Sequence, residues 1–164
     1  MKNTSVVINP NPNGDTRTAP KDVTFEQFQE ANDMHRLDVK HIMWRLSEII
    51  MEIGDAHDIT KKTREREQYQ DFFNTVFNGM DFKTLPWYRM HTSAERHHLL
   101  DGHYPQDVNL LDVLEMISDN VAAGLARSGE VRVAEIEPWM LKLAYENTIK
   151  LIEGMCQLKD KEIK

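Results

Sequence analysis

The sequence predicts an all-α protein: a compact bundle of about five helices with an extended N-terminal arm. Three observations predict it. Apolar residues recur at i, i+3, i+4 and i+7 through most of the chain after residue 23. Helix punctuation falls at the ends of those stretches, with Gly54, Gly79 and Gly129 as stops and Pro138 as a start. Only Glu130–Val133 hints at a strand.

Residues 1–22 carry Pro10, Pro12 and Pro20 and four asparagines, with no period of 2 or 3.6, and read as an extended or mobile arm. Val6-Val7-Ile8 is a short apolar patch that could pair with a neighbour. A single helical domain is expected over 23–158, with a charged tail at 159–164.

The first helix should start at Thr24, where Thr24-Phe-Glu-Gln27 has the capping-box pattern. Its stripe is Phe25, Phe28, Ala31, Val39, Ile42, Met43, Leu46, Ile49, Ile50 and Ile53, with room for a break at Asn32-Asp33 and a stop at Gly54. A second helix, about Thr63 to Asn78, carries Tyr69, Phe72, Phe73, Val76 and Phe77. A helical turn or two is expected around Trp87–Leu99. A fourth helix spans Asn109 to Arg127, and a fifth starts at Glu137-Pro138 and runs to Met155. The aromatic residues Trp44, Trp87, Trp139 and Phe72-Phe73-Phe77 could form a base-stacking surface, but at helical spacing they read as core. Cys156 reads as an inert thiol on the last helix.

Composition narrows the function classes. At 40% hydrophobic and 29% charged the chain has a globular composition. No apolar run reaches the roughly 20 residues of a membrane span, and the first residues lack a secretory signal. One cysteine excludes an internal disulfide and a cysteine zinc cluster, so a cytoplasmic setting is expected. A net charge of −7 argues against coating of nucleic acid, though not against a small nucleotide held by a metal.

All seven histidines lie between residues 35 and 103. His35 precedes Val39 by four and Ile42 by seven, so it should point to the buried side, while His41 sits with Arg45 and Glu48 on the polar side. An inward histidine is either a core residue with one hydrogen-bond partner or a ligand. His57-Asp58 follows the Gly54 stop and offers an imidazole and a carboxylate together, although Asp58 could equally cap the next helix. Asp112, Glu115 and Asp119 share one helical face nearly opposite Leu110, Leu114, Ile117 and Val121. That face is either wet, or buried and in need of a cation. The run His91-Thr-Ser-Ala-Glu95-Arg96-His97-His98 is dense in imidazole, and His91, Glu95 and His98 could line one helical face. Its bland reading is a histidine-rich surface loop.

The order of these pieces resembles the H…HD…D signature of the HD-domain superfamily of metal-dependent phosphohydrolases. Ala56-His-Asp-Ile-Thr-Lys61 is similar to the superfamily's HD-[IW]-[GS]-K segment. The run from His91 through His97-His98 to Glu115-Met-Ile-Ser-Asp119 is more similar still to a small uncharacterised HD-like family of phages and bacteria. The likeness covers roughly residues 35–127, and Thr60 departs from the superfamily's Gly or Ser.

The resemblance implies His35, His57, Asp58 and Asp119 as primary metal ligands. Lys61 would reach a substrate phosphate. His91, His97 and His98 would hold a second metal or contact the phosphate. One or two divalent ions are implied (Mn, Fe, Co, Ni, Zn or Mg). Arg96 could clamp phosphate or lie on the surface. Glu95 and Glu115 could act as base, orient an imidazole, or do neither. The expected function is hydrolysis of a nucleotide or related small phosphate ester through metal-activated water, in the cytoplasm, or the host's if the chain is phage-encoded. The alternatives are a non-catalytic HD-like protein that sequesters a nucleotide or binds a protein, and a helical structural protein whose histidines bind no metal. A homo-oligomer is compatible with the sequence.

Overall fold

In a computed structural model, which describes residues 5–131 and 133–159, the chain folds as β1 (Val6–Ile8), α1 (Phe25–Ala56), α2 (Ile59–Thr63), α3 (Glu65–Asn78), α4 (Pro86–Ala94), α5 (Leu110–Ser128), α6 (Pro138–Met155) and β2 (Cys156–Leu158). Among the described residues the fold is all-α apart from one two-stranded sheet. The chain divides into two compact units, Met1–Met51 with Ile149–Lys164, and Glu52–Thr148. The expected tail lies, past Lys159, outside the described residues. Among the described residues no helix is long and apolar enough to cross a membrane.

In the first unit the arm is ordered by pairing. Val6–Ile8 runs parallel to Cys156–Leu158, in register Val6 to Cys156. Asn9 then donates from its backbone and side chain to the two carboxylate oxygens of Asp38, at 3.3 and 3.4 Å. The capping box at Thr24 forms reciprocally: Thr24 N–H donates to Gln27 Oε1 (3.0 Å) and Gln27 N–H to Thr24 Oγ1 (3.3 Å). α1 continues without a break at Asn32-Asp33 and passes Gly54 by two residues. Its covered face takes only part of the expected stripe. Ala31 is buried and Ile42, Leu46, Ile49 and Ile53 are half-buried, with buried Asp38 and largely covered Arg45 among them, whereas Phe25, Phe28, Val39, Met43 and Ile50 are exposed. Because Asp38 is drawn inward by Asn9, the covered row is turned away from the purely apolar one. Cys156 opens β2 instead of lying on the helix; burial and then the Asp38 carboxylate hold its thiol above the usual range.

The second unit carries the core: Leu99, Val108, Val113, Met116, Met140 and Ala144, with Ile136 and Leu143 against them. α3 ends at Gly79, whose φ of 70° is the left-handed turn that glycine takes most cheaply. α4 starts with Pro86 at its first turn, and Asp71 of α3 accepts from Trp87 N–H at 2.8 Å. α5 begins with a full capping box: Asn109 accepts from Leu111 N–H (2.8 Å) and Asp112 accepts from Asn109 N–H (2.9 Å). Val131 and Val133, where a strand was hinted, are exposed and form none. Of the aromatics expected in a core, only Trp87 is buried; Trp44, Trp139, Phe72, Phe73 and Phe77 are all exposed.

Candidate metal centre

α5 reverses the usual rule for an amphipathic helix. Asp112 is 3% exposed, and the side chains of Glu115 and Asp119 are largely covered. Leu110, Leu114, Ile117 and Val121 lie exposed. The turn between α1 and α2 presents Asp58, which takes a left-handed backbone (φ 55°, ψ 30°), a conformation few non-glycine residues adopt. It caps nothing through its side chain. Its carboxylate is turned instead toward histidines from three segments.

Asp58 Oδ1 lies 3.4 Å from His91 Nε2 and 3.7 Å from His97 Nε2, and Asp58 Oδ2 lies 3.3 Å from His57 Nε2. Lys61 Nζ also contacts Oδ2. Two groups share this carboxylate, His57–Asp58–His97 and Asp58–His91–His98, each with its ligand atoms within 4.8 Å of one another. Buried Asp58 Oδ1 and both ring nitrogens of His97 make no hydrogen bond. Buried polar atoms left without partners are costly, so this cluster is incomplete as it stands.

The outer hydrogen bonds fix how each ring presents itself. Thr60 Oγ1 lies 2.6 Å from both Glu95 Oε1 and His91 Nδ1. The ionised carboxylate can only accept, so the hydroxyl donates to Glu95 and accepts from His91 Nδ1–H. Thr60 N–H donates to the same oxygen at 2.9 Å. His98 Nδ1 donates to Asp101 (3.0 Å), which is itself held by Tyr88 OH (2.8 Å). Both Nε2 lone pairs are thereby left inward, only 2.9 Å apart. Two lone pairs at that separation repel unless a cation, a proton or a metal ion, lies between them. Glu115 Oε1 plays the same part on the other side, accepting from His57 Nδ1 at 2.9 Å and standing 3.1 Å from His97 Nδ1. A carboxylate behind an imidazole is the usual support of a metal-ligating histidine.

The charge balance follows. Burial holds His91 down at about 4, with the His98 and Lys61 charges acting the same way and Asp58 and Glu95 opposing. Burial first, then His98 and His57, keep His97 below its ordinary value. Burial also depresses His57, but the Glu115 hydrogen bond and the Asp58 and Asp119 charges outweigh it and the net shift is upward. Burial raises Asp58, yet Lys61 and the neighbouring histidines draw it below the carboxylate range. His91 and His97, buried and held toward the neutral form beside an ionised Asp58, are in the protonation state that metal ligation needs.

Several expectations are corrected. His35 is exposed in the first unit, on neither group, because the covered face of α1 passes through Ala31 and Asp38 instead. Arg96 is not a free phosphate clamp. Its fork grips Asp112 at 2.7 and 2.8 Å and Asp107 at 3.0 Å, tying the turn after α4 to the start of α5. His91, Glu95 and His98 do not share a helix, since α4 ends at Ala94 and the turn brings His98 back onto His91. Asp119 sits at the margin, 3.6 Å from His57 Nε2. Thr60 and Asp101 were not picked out as supports. The spacing of Asp101 three residues after His98 is the available signal for one, and the place of Thr60 between His57-Asp58 and Lys61 is the signal for the other.

A cavity of about 260 Å³ adjoins the far end of α4, lined by Thr92, Ser93, Glu95, Arg96, His103 and Tyr104 among others, and it shares Glu95 with the His91 support. Comparison with protein-family models, curated proteins and solved structures finds no match for this chain.

Proposed function

We propose that the chain is a divalent-cation-dependent phosphohydrolase acting on a nucleotide or related small phosphate ester. The observation that carries the reading is the largely covered Asp58 carboxylate shared by two groups of imidazoles, with its buried Oδ1 unsatisfied. Two nitrogens and one oxygen per group suit Mn, Fe, Co, Ni or Zn better than Ca. Asp58 belongs to both groups, so one ion or two are accommodated by the same residues. A bound divalent cation supplies Lewis acidity, polarising a phosphoryl oxygen and lowering the pKa of water.

The chain's own residues supply the rest. Glu115 holds His57, the Thr60–Glu95 pair holds His91, and Asp101 holds His98, so the rings need no reorientation when substrate arrives. Lys61 adds a partly exposed positive charge beside Asp58, within reach of an anionic substrate. The choice of a phosphate ester rests on the resemblance of His57-Asp58, Lys61 and Asp119 to the H…HD…D order of the HD superfamily, and of His97-His98 to the small HD-like family; the leading histidine of that order, His35, lies on neither group.

The test is metal analysis of the purified protein, followed by phosphate release from a nucleotide panel with Mn, Co and Mg. Near-stoichiometric metal and cation-dependent turnover are expected. Tight stoichiometric nucleotide binding without turnover would replace the enzyme by a sequestering protein. A chain without metal whose melting temperature ignores divalent cations would sink both.

A further inference from the structure

Tyr69, Phe72, Phe73, Val76 and Phe77 form the apolar row of α3, and all five face outward, at 64%, 52%, 37%, 57% and 66% exposure. Taking about 200 Å² per aromatic residue and about 150 Å² for valine, their exposed surface comes to roughly 500 Å². That lies within the roughly 300–600 Å² that the largest apolar patch of a monomer reaches, and such a patch is often functional. A standard interface takes about 800 Å² per partner and is about 65% apolar in homodimers, which is again roughly 500 Å².

Charge says what the patch accepts. From Gln68 to Asn78 the only acidic or basic side chain is Asp71. Asp71 is 6% exposed and turned inward to accept from Trp87 N–H. The other polar residues of that stretch are neutral: Gln68, Gln70, Asn74, Thr75 and Asn78. Asn74 ties Gln70 (3.3 Å) and Asn78 (3.1 Å) along the helix, so amide groups are satisfied within it. A chain of net charge −7 repels its own copies over most of its surface, and this stretch offers them no charge to repel.

We propose that α3 packs against α3 of a second copy, row against row across a two-fold axis, making the protein a homodimer. Antiparallel crossing near Phe73 sets Tyr69 of one copy against Phe77 of the other, and a self-complementary row is what such an axis requires. The interface is independent of the metal centre.

Sedimentation equilibrium at micromolar concentration tests it, on the intact chain and on a Phe72→Glu/Phe77→Glu variant. The intact chain should sediment as a dimer. The variant should sediment as a monomer with unchanged helical circular dichroism and unchanged bound metal. Should the double variant lose its helix signal, Tyr69→Arg replaces it, since that residue is 64% exposed. A monomeric intact chain would overturn the proposal and leave the face to a different partner. So would a dimer that survives the charges on α3, or one that dissociates instead with Leu125→Glu on α5.

Discussion

The inner face of α5 holds Asp112, Glu115 and Asp119 away from water, while the outer face of α3 holds Tyr69, Phe72 and Phe77 in it. Both depart from the partition expected of a helix in a small protein, although α5 also buries Val113 and Met116. Asp112 is repaid within the chain by Arg96 and the Asn109 cap. Glu115 accepts from His57, whose other nitrogen faces the Asp58 carboxylate, and that carboxylate keeps one oxygen unsatisfied. The α3 row is covered only by its own ring contacts, Tyr69 with Phe72 and Phe73 with Phe77, among the described residues. One region therefore lacks a positive charge and the other lacks a cover, and each should be breakable without disturbing the other.

The largest effect is expected at Asp58. Asp58→Asn keeps the shape but removes the charge common to both histidine groups. Loss of an outer support usually costs about 10–100-fold in metal affinity, and loss of a shared ligand should exceed that. The variant should purify without metal and without phosphate-releasing activity, yet remain a dimer. Native metal content in Asp58→Asn would show that the histidines bind elsewhere.

Thr60 sharpens the same side of the comparison. Thr60→Val removes the hydroxyl between Glu95 and His91 while keeping the branched shape. The His91 ring then loses the bond that selects its tautomer, and metal affinity should fall about 10–100-fold. Thr60→Ser should restore it. Equal affinity in the valine and serine variants, measured by competition with a chelating dye, would reduce Thr60 to a packing residue.

Metal removal should appear in stability. With free cation at a hundredfold excess over its dissociation constant, a native-state site adds about 2.7 kcal/mol, or roughly 5–10 °C in melting temperature for a chain of this size. A strong chelator should remove that increment from the intact protein and from Phe72→Glu/Phe77→Glu alike, but should leave Asp58→Asn unmoved. A chelator effect that tracks the dimer instead would tie the two regions together.

How far the sequence reached follows the same division. Helix ends were legible because they are local: the Thr24–Gln27 box, Gly79, Gly129 and Pro138 each act through hydrogen bonds or torsions within a few residues. Spacing also put His57-Asp58 and His97-His98 forward, and the structure brings them together. What failed was the inference from apolar spacing to burial. The apolar row of α3 and the Leu110–Val121 row of α5 have the right period but lie outside, and His35 lies on an exposed strip of α1. A period fixes which residues share a face; it does not say which face is covered. That choice was made by polar pairs distant in sequence, such as Asn9 with Asp38 and Arg96 with Asp112.

The smallest effect expected is on acid stability, where the contributions partly oppose. His91 and His97 are held below the ordinary histidine value, His91 at about 4. Between that value and the ordinary 6.5 the unfolded chain takes up protons that the folded one refuses, so both groups make the metal-free protein less stable as pH falls. His57 is raised, so its contribution is fully present below its ordinary value and is lost as pH climbs through the raised one. Asp58, held low, stabilises above the carboxylate range and its contribution is lost only in stronger acid. From about pH 7 to about pH 5 two histidines therefore act against one, and the melting temperature of the metal-free protein should fall. In His91→Asn, which cannot be protonated, the fall should be shallower. An unchanged slope in that variant would mean that His91 is not the buried neutral ring on which the metal centre depends, and the α3 interface would stand without it.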